Sequence, residues 1–125
     1  MNRITDEMRI GTVGELLVQL RFLEHGIQAA PPIKDSGNDL IAIKGESFRA
    51  IQVKTTARDN FDRPNPERLY HILAVVRLVD DENTIHLDRS SVFLIPRDQV
   101  GAVSTRIRDL EAYRMTRDHV ERLFE

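Results

Sequence analysis

The chain has no cysteine, which excludes disulfides, thiolate-bound metals and a cysteine nucleophile. Its four histidines, His25, His71, His86 and His119, show none of the spacing of a histidine-rich metal site. No stretch approaches the roughly 18–20 unbroken apolar residues of a membrane helix, and the amino terminus MNRITDEMRIG is too charged to be the apolar core of a secretory signal. A cytoplasmic protein with no membrane contact is expected. The charge is small as well: a net −2 excludes wholesale coating of a polyanion, although 15 of the 18 basic residues are Arg, the side chain suited to forked phosphate contacts.

What is present is globular. An apolar fraction of 41% and a charged fraction of 30% over 125 residues suit one compact domain covering 1–125, and the order of helix and strand signals along it reads as α/β. Thr5 is a plausible N-cap, Asp6 and Glu7 suit the positive end of a helix, and Gly26 is a good stop, so Thr5–His25 reads as helix. Ile10, Val13, Leu17 and Leu20 make one apolar stripe, and Met8, Gly11, Glu15, Val18 and Phe22 a second on nearly the opposite side. Such a helix should be heavily buried, and its Gly11 and Gly14 should mark close approach of another backbone. GIQAAPP reads as a short strand ended by prolines, and KDSGND as a turn. Asp39–Ile43 and Ser47–Thr55 read as a hairpin around Gly45–Glu46. ARDNFDRPNPER reads as a mobile loop, LYHILAVVRLV as a central strand, DDEN as a turn, and TIHL and SVFLI as further strands. The charged remainder is helical in composition, with Thr116 a cap for RDHVERLF.

The hairpin poses a chemical question, because FRAIQVKTT carries Gln52 and Lys54 on an otherwise apolar strand. With Gly45 and Glu46 as the turn, Asp39 falls directly opposite Gln52 and Lys54 is the diagonal neighbour. Opposed Cβ atoms lie about 5 Å apart and diagonal ones about 7–8 Å, so an acid, an amide and an ammonium converge where the hairpin opens. A one-residue slip in register would send Asp39 to the other face. Carboxylate and amide oxygens, with the backbone carbonyl of Val53, are hard ligands suited to Mg²⁺ (or Mn²⁺). An ammonium beside such an ion suits attack of water on a phosphodiester. Glu15, on a nearly apolar helix, needs a cation too, which Lys54 or the metal would supply.

These stretches, GTVGELLVQLRFLEHGI, GNDLIAI and RAIQVKTT, resemble the PD-(D/E)XK nuclease superfamily, and within it small group I intron homing-type endonucleases and Holliday-junction resolvases. The resemblance implies a restriction-endonuclease-like αβββαβ core with a mixed sheet flanked by helices, to which HILAVV and VFLIP would add later strands. Carried across, Glu15 matches the helical metal-site acid, Asp39 the metal-ligand aspartate, Gln52 the second acidic position and Lys54 the catalytic lysine. Asn38 stands where the motif has proline, and Gln52 replaces Asp or Glu, as in some active members of the homing type. The expectation is a Mg²⁺-dependent DNA endonuclease acting as a homodimer or higher homo-oligomer, with Arg58, Arg63 and Arg68 gripping phosphates.

Simpler readings stand beside these. Glu15 reaches water or a structural ion pair, Asp39 caps a turn, Lys54 is a solvated strand end, Gln52 is satisfied by backbone, and Arg58, Arg63 and Arg68 sit on a solvated loop. The matching functional alternative is a catalytically weak or inactive nuclease-fold module that binds nucleic acid or a protein partner, with an RNase as a third. Arg106, Arg108, Arg114, Arg117 and Arg122 alternate with acids and read as a solvated helix face.

Overall fold

The computed structural model describes residues 3–34, 38–82 and 84–125. The turn read at KDSGND therefore falls partly on residues 35–37, and the DDEN turn partly on residue 83, outside the described residues.

Helix α1 spans Asp6–Glu24, with the Thr5 hydroxyl accepting from the Met8 amide at 3.2 Å. It ends through His25 and then Gly26, whose φ of 75° favours glycine. Only one face of α1 is buried, made by Gly14, Leu17, Val18 and Phe22. This corrects the reading of an all-round buried helix: Met8, Leu16, Leu20 and Leu23 are exposed. Gly14 and Gly11 also part company. A Cβ on Gly14 would lie 1.8 Å from Thr55 Oγ1, whereas one on Gly11 would meet nothing within 4 Å.

The strands are β1 (Gln28–Ala30), β2 (Leu40–Lys44), β3 (Ser47–Thr56), β4 (Ile72–Arg77), β5 (Asp80–Asp81), β6 (Thr84–Ile85) and β7 (Ser91–Pro96). Five of them form one sheet in the order β1-β2-β3-β4-β7, and β5 and β6 form a separate ribbon. β3 and β4 run parallel and the other neighbours antiparallel, so the sheet is mixed. In the β2–β3 hairpin Leu40 faces Ile51 and Lys44 faces Ser47, the register read from the Gly45–Glu46 turn. Gly45 has φ 60°, which a β-carbon would oppose. TIHL contributes only the two residues of β6, and the SVFLI strand is β7.

Alternation along the strands divides the core in two. On one face Ile51, Val53, Ile72, Ala74 and Leu94 pack with Leu17, Val18 and Phe22 of α1 and with Val120 and Phe124 near the carboxyl terminus. On the other, Leu73, Val75, Phe93 and Ile95 pack with Phe61, Tyr70, Val100 and Leu110. β4 is covered on both faces, which explains its unbroken apolar run. The second face of the β2–β3 hairpin is not covered in the same way, leaving Ile43 and Phe48 exposed.

The crossover between parallel β3 and β4 runs through residues 57–71 without a helix. The sequence suggests a mobile loop here; the structure ties it down. Phe61 and Tyr70 are buried, and the Arg97 guanidinium donates to the carbonyls of Pro66, Arg68 and Tyr70 while lying 4.6 Å from the Tyr70 ring centroid. The carboxyl-terminal third is less helical than its composition suggests: α2 is Arg97–Val100, short 3₁₀ turns occupy Ile107–Asp109 and Glu111–Tyr113, and α3 covers Arg117–Leu123 behind its Thr116 cap. No helix among the described residues is long and apolar enough to cross a membrane.

Candidate active site and metal centre

The site originates in a mismatch of strand lengths. β2 begins at Leu40, opposite Ile51, while β3 continues to Thr56. Residues Gln52–Thr56 therefore have β4 on one side and no continuing β2 on the other. The Val53 amide, left without a strand partner, donates instead to Asp39 Oδ2 at 2.8 Å. Asp39 is held in place by its own amide, which donates to the Ile51 carbonyl at 3.0 Å. Asn38, buried just before it, donates from Nδ2 to the Leu40 carbonyl at 3.0 Å, so an amide side chain shapes the backbone where the resembled motif has proline.

Asp39 Oδ2 also accepts from Gln52 Nε2 at 2.9 Å. This bond fixes the orientation of the amide: with nitrogen committed to the carboxylate, Oε1 is turned away. That oxygen is buried and has no hydrogen-bond partner among the described residues. A buried acceptor without a donor costs about 1–3 kcal/mol, and a cation is one way to satisfy it. In a strand, a residue's N–H and C=O point to the same side, so the Val53 carbonyl faces the same gap that the Asp39 side chain enters.

Glu15 approaches from α1. It lines a cleft of about 630 Å³ together with Gly11, Val53, Thr55 and Arg58. Burial, and next the negative charge of Asp39, raise its pKa above the ordinary carboxylate value. The two carboxylates thus act on one another, which the strand-end gap permits although Glu15 comes from the helix-covered face and Asp39 from the other. Lys54 lies on the same face of β3 as Gln52, half-buried, in register with Val75. Its ammonium forms no hydrogen bond or ion pair among the described residues.

These four predicted residues occupy one end of β3. The donors available there to a divalent ion are two carboxylates, the Gln52 amide oxygen and the Val53 carbonyl, all hard oxygens of the kind Mg²⁺ accepts. Among the described residues no group of three or more His, Asp or Glu side chains is arranged to hold a metal, so the amide and the backbone carbonyl must complete any such site. The orphaned Gln52 oxygen fits that role.

The three arginines expected to meet phosphate differ in position. Arg58 is exposed, lines the Glu15 cleft and makes no side-chain hydrogen bond or ion pair among the described residues. Arg63 is also exposed, yet its guanidinium donates to the Val100 and Val103 carbonyls and fastens the 57–71 segment to the turn after α2. Arg68 is exposed at the far end of that segment, its carbonyl held by Arg97. Arg106 and Arg108, which the sequence places on a solvated helix face, instead flank a second cleft with Arg58. Only the long-range pairing of 59–61 with 105–107 brings them there.

No family model matches the chain, and no curated protein matches it. Among solved structures it is similar to a bacterial homing endonuclease, I-Ssp6803I, with a TM-score of 0.63 and 15% identity over 97% of this chain and 91% of that one. At that identity the likeness is one of fold: a five-stranded mixed sheet flanked by helices, of nuclease-like architecture.

Proposed function

From that shared fold we propose that the chain is a Mg²⁺-dependent DNA endonuclease of the PD-(D/E)XK type, carrying Gln52 at the second acidic position. The observation that carries this reading is the strand-end gap, where Asp39 is oriented by two N–H donors while the Gln52 amide oxygen beside it is buried and without a partner among the described residues. Asp39, Glu15, Gln52 Oε1 and the Val53 carbonyl would hold the ion, directly or through water. When bound, Mg²⁺ supplies Lewis acidity toward a phosphoryl oxygen. Lys54, free of any counter-charge among the described residues, donates to the attacking water and to the phosphate, orienting the one and stabilising the negative charge that builds on the other. Water adds to phosphorus and releases a proton to solvent, one ester P–O bond breaks, and the departing oxygen takes up a proton from solvent, so the strand is left with a phosphate on one end and a hydroxyl on the other. Arg58 borders this cleft and meets the adjoining phosphate, with Arg63 and Arg68 further along the same segment.

One site cuts one strand, so a homodimer is the natural form for cutting two. The protein is read as cytoplasmic, and as a single domain.

One observation favours the second reading, a binding module without cleavage: Gln52 donates to Asp39 and so needs no cation to sit beside it, where Glu at 52 would set two carboxylates in opposition. Purified protein incubated with supercoiled, linear and four-way-junction DNA and Mg²⁺ separates the two. The enzyme reading expects nicked or linear product, EDTA sensitivity, and at least about a hundredfold loss in Asp39→Asn and Lys54→Ala. No cleavage of any substrate, or cleavage unchanged by both substitutions, refutes it. Isothermal titration with Mn²⁺ then tells whether a metal site remains, since the module reading requires no Asp39-dependent binding.

A further inference from the structure

The loop after β3 and the segment leading into the 3₁₀ turn Ile107–Asp109 form a miniature ribbon. Phe61 donates its amide to the Thr105 carbonyl at 3.0 Å, Ile107 donates to the Asp59 carbonyl at 2.8 Å, and Asn60 bridges Arg106. Beside this ribbon lies a cleft of about 800 Å³ lined by Arg58, Asp59, Asn60, Arg106, Ile107 and Arg108. All three arginines are exposed, and none forms a side-chain hydrogen bond or ion pair among the described residues. The acids nearby are otherwise engaged: Asp59 is 3.5 Å from the Arg77 guanidinium, and Asp109 accepts from Ser104 Oγ at 2.7 Å.

Three uncommitted guanidinium groups on one concave surface are unusual in a chain whose net charge is −2. They repel each other, and a chain with more acids than bases is repelled overall by a polyanion unless its cations are gathered locally. Arg58 borders both this cleft and the Glu15 cleft, so the two adjoin at its side chain.

We propose that Arg106 and Arg108, with Arg58, form a phosphate-binding track that holds the nucleic-acid backbone beside the scissile phosphodiester. This rests on the nuclease reading above and extends it to the segment 105–108. The ligand is a run of backbone phosphates on one strand, spaced about 3.4 Å along the helix axis, rather than one small anion. Arg58 grips the phosphate next to the cut; Arg106 and Arg108 take the following ones. Guanidinium suits this role because its fork binds two phosphate oxygens at once. No base is contacted, so the track positions DNA without reading sequence.

The test is binding of a fluorescein-labelled duplex by anisotropy, with Ca²⁺ in place of Mg²⁺, across 50–200 mM KCl, for wild type, the double variant Arg106→Ala/Arg108→Ala, and Arg106→Lys/Arg108→Lys. Removing two phosphate contacts should flatten the slope of log K against log salt by about two and weaken binding roughly tenfold or more at low salt. The lysine pair should keep most of the slope. Circular dichroism melts, with the Mn²⁺ affinity of the Asp39 site, show that each variant is folded. If wild type binds while the alanine pair binds with the same affinity and slope, the track is refuted and the nuclease reading stands. If wild type binds no DNA, both fall. Stabilisation by inorganic phosphate alone at micromolar concentration, lost in the alanine pair, would make the cleft a small-anion site and overturn the track.

Discussion

At the scale of single residues, the site is defined by what each polar group lacks. Asp39 Oδ2 has two donors, Gln52 Oε1 has none, and Glu15 faces a like charge with no cation paired to it among the described residues. The consequence for Glu15 can be worked through linkage. Its folded-state pKa is raised by burial and by Asp39, so the metal-free fold binds this proton more tightly than the unfolded chain does. The stabilisation is fully present below the ordinary glutamate range and is lost as pH climbs through the raised value. Glu15→Gln has no proton to lose. The metal-free variant should therefore gain Tm relative to wild type between about pH 4 and pH 8. Mg²⁺ should reverse the order, since it restores the wild type and has less to bind in the variant. Thermal melts at both pH values, with EDTA and with 5–10 mM Mg²⁺, read this out; a constant difference across pH with no effect of metal would show that Glu15 faces only solvent.

At the scale of elements, the two glycines of α1 look equivalent in sequence and differ in space. Gly14→Ala gains helix propensity of about 1 kcal/mol but drives a methyl into Thr55 of β3, at 1.8 Å from Oγ1. Thr55 is a β-branched strand residue with limited rotamer freedom, and overpacking of this sort costs about 1–3 kcal/mol. The clash wins, so Gly14→Ala should lower stability by about 1–2 kcal/mol. Gly11→Ala meets open space and should raise stability by about 1 kcal/mol in urea unfolding. Equal effects of the two substitutions would mean that α1 does not seat on β3 as described. The same contrast shows what was legible in the sequence. The hairpin register followed from a two-residue turn and alternation, both local, and it set Asp39 against Gln52. Which side of α1 is buried was not local: Leu17, Val18 and Phe22 are inside because Ile51, Val53 and Ile72 lie beneath them, while the equally apolar Leu16, Leu20 and Leu23 stay exposed. Arg106 and Arg108 read as a solvated face for the same reason, since their cleft exists only through pairing with residues over 40 positions away.

At the scale of the molecule, the exposed leucines matter again. Leu16, Leu20 and Leu23 follow the i, i+4, i+7 spacing of one helix side, and with Gln28–Ala30 of β1 they line a shallow apolar concavity. β1 is the edge strand of the sheet, three residues long and followed by Pro31 and Pro32, which limits open-ended strand pairing. A face of this kind in water favours burial against a partner, and a second copy of the chain is the occupant that the proposed endonuclease would need in order to cut both strands. A two-fold arrangement closes on itself and stops at two. Sedimentation velocity should find a dimer in wild type and a monomer in Leu20→Glu/Leu23→Glu, because each new carboxylate would be desolvated at the interface. Both substituted side chains are already in solvent, so the variant should keep its fold and its Asp39-dependent Mn²⁺ affinity. On supercoiled plasmid the dimer should yield linear product in step with nicked circles, and the monomeric variant nicked circles well in advance of linear. A wild type that sediments as a monomer and still linearises plasmid in one encounter would leave the leucine face without this role.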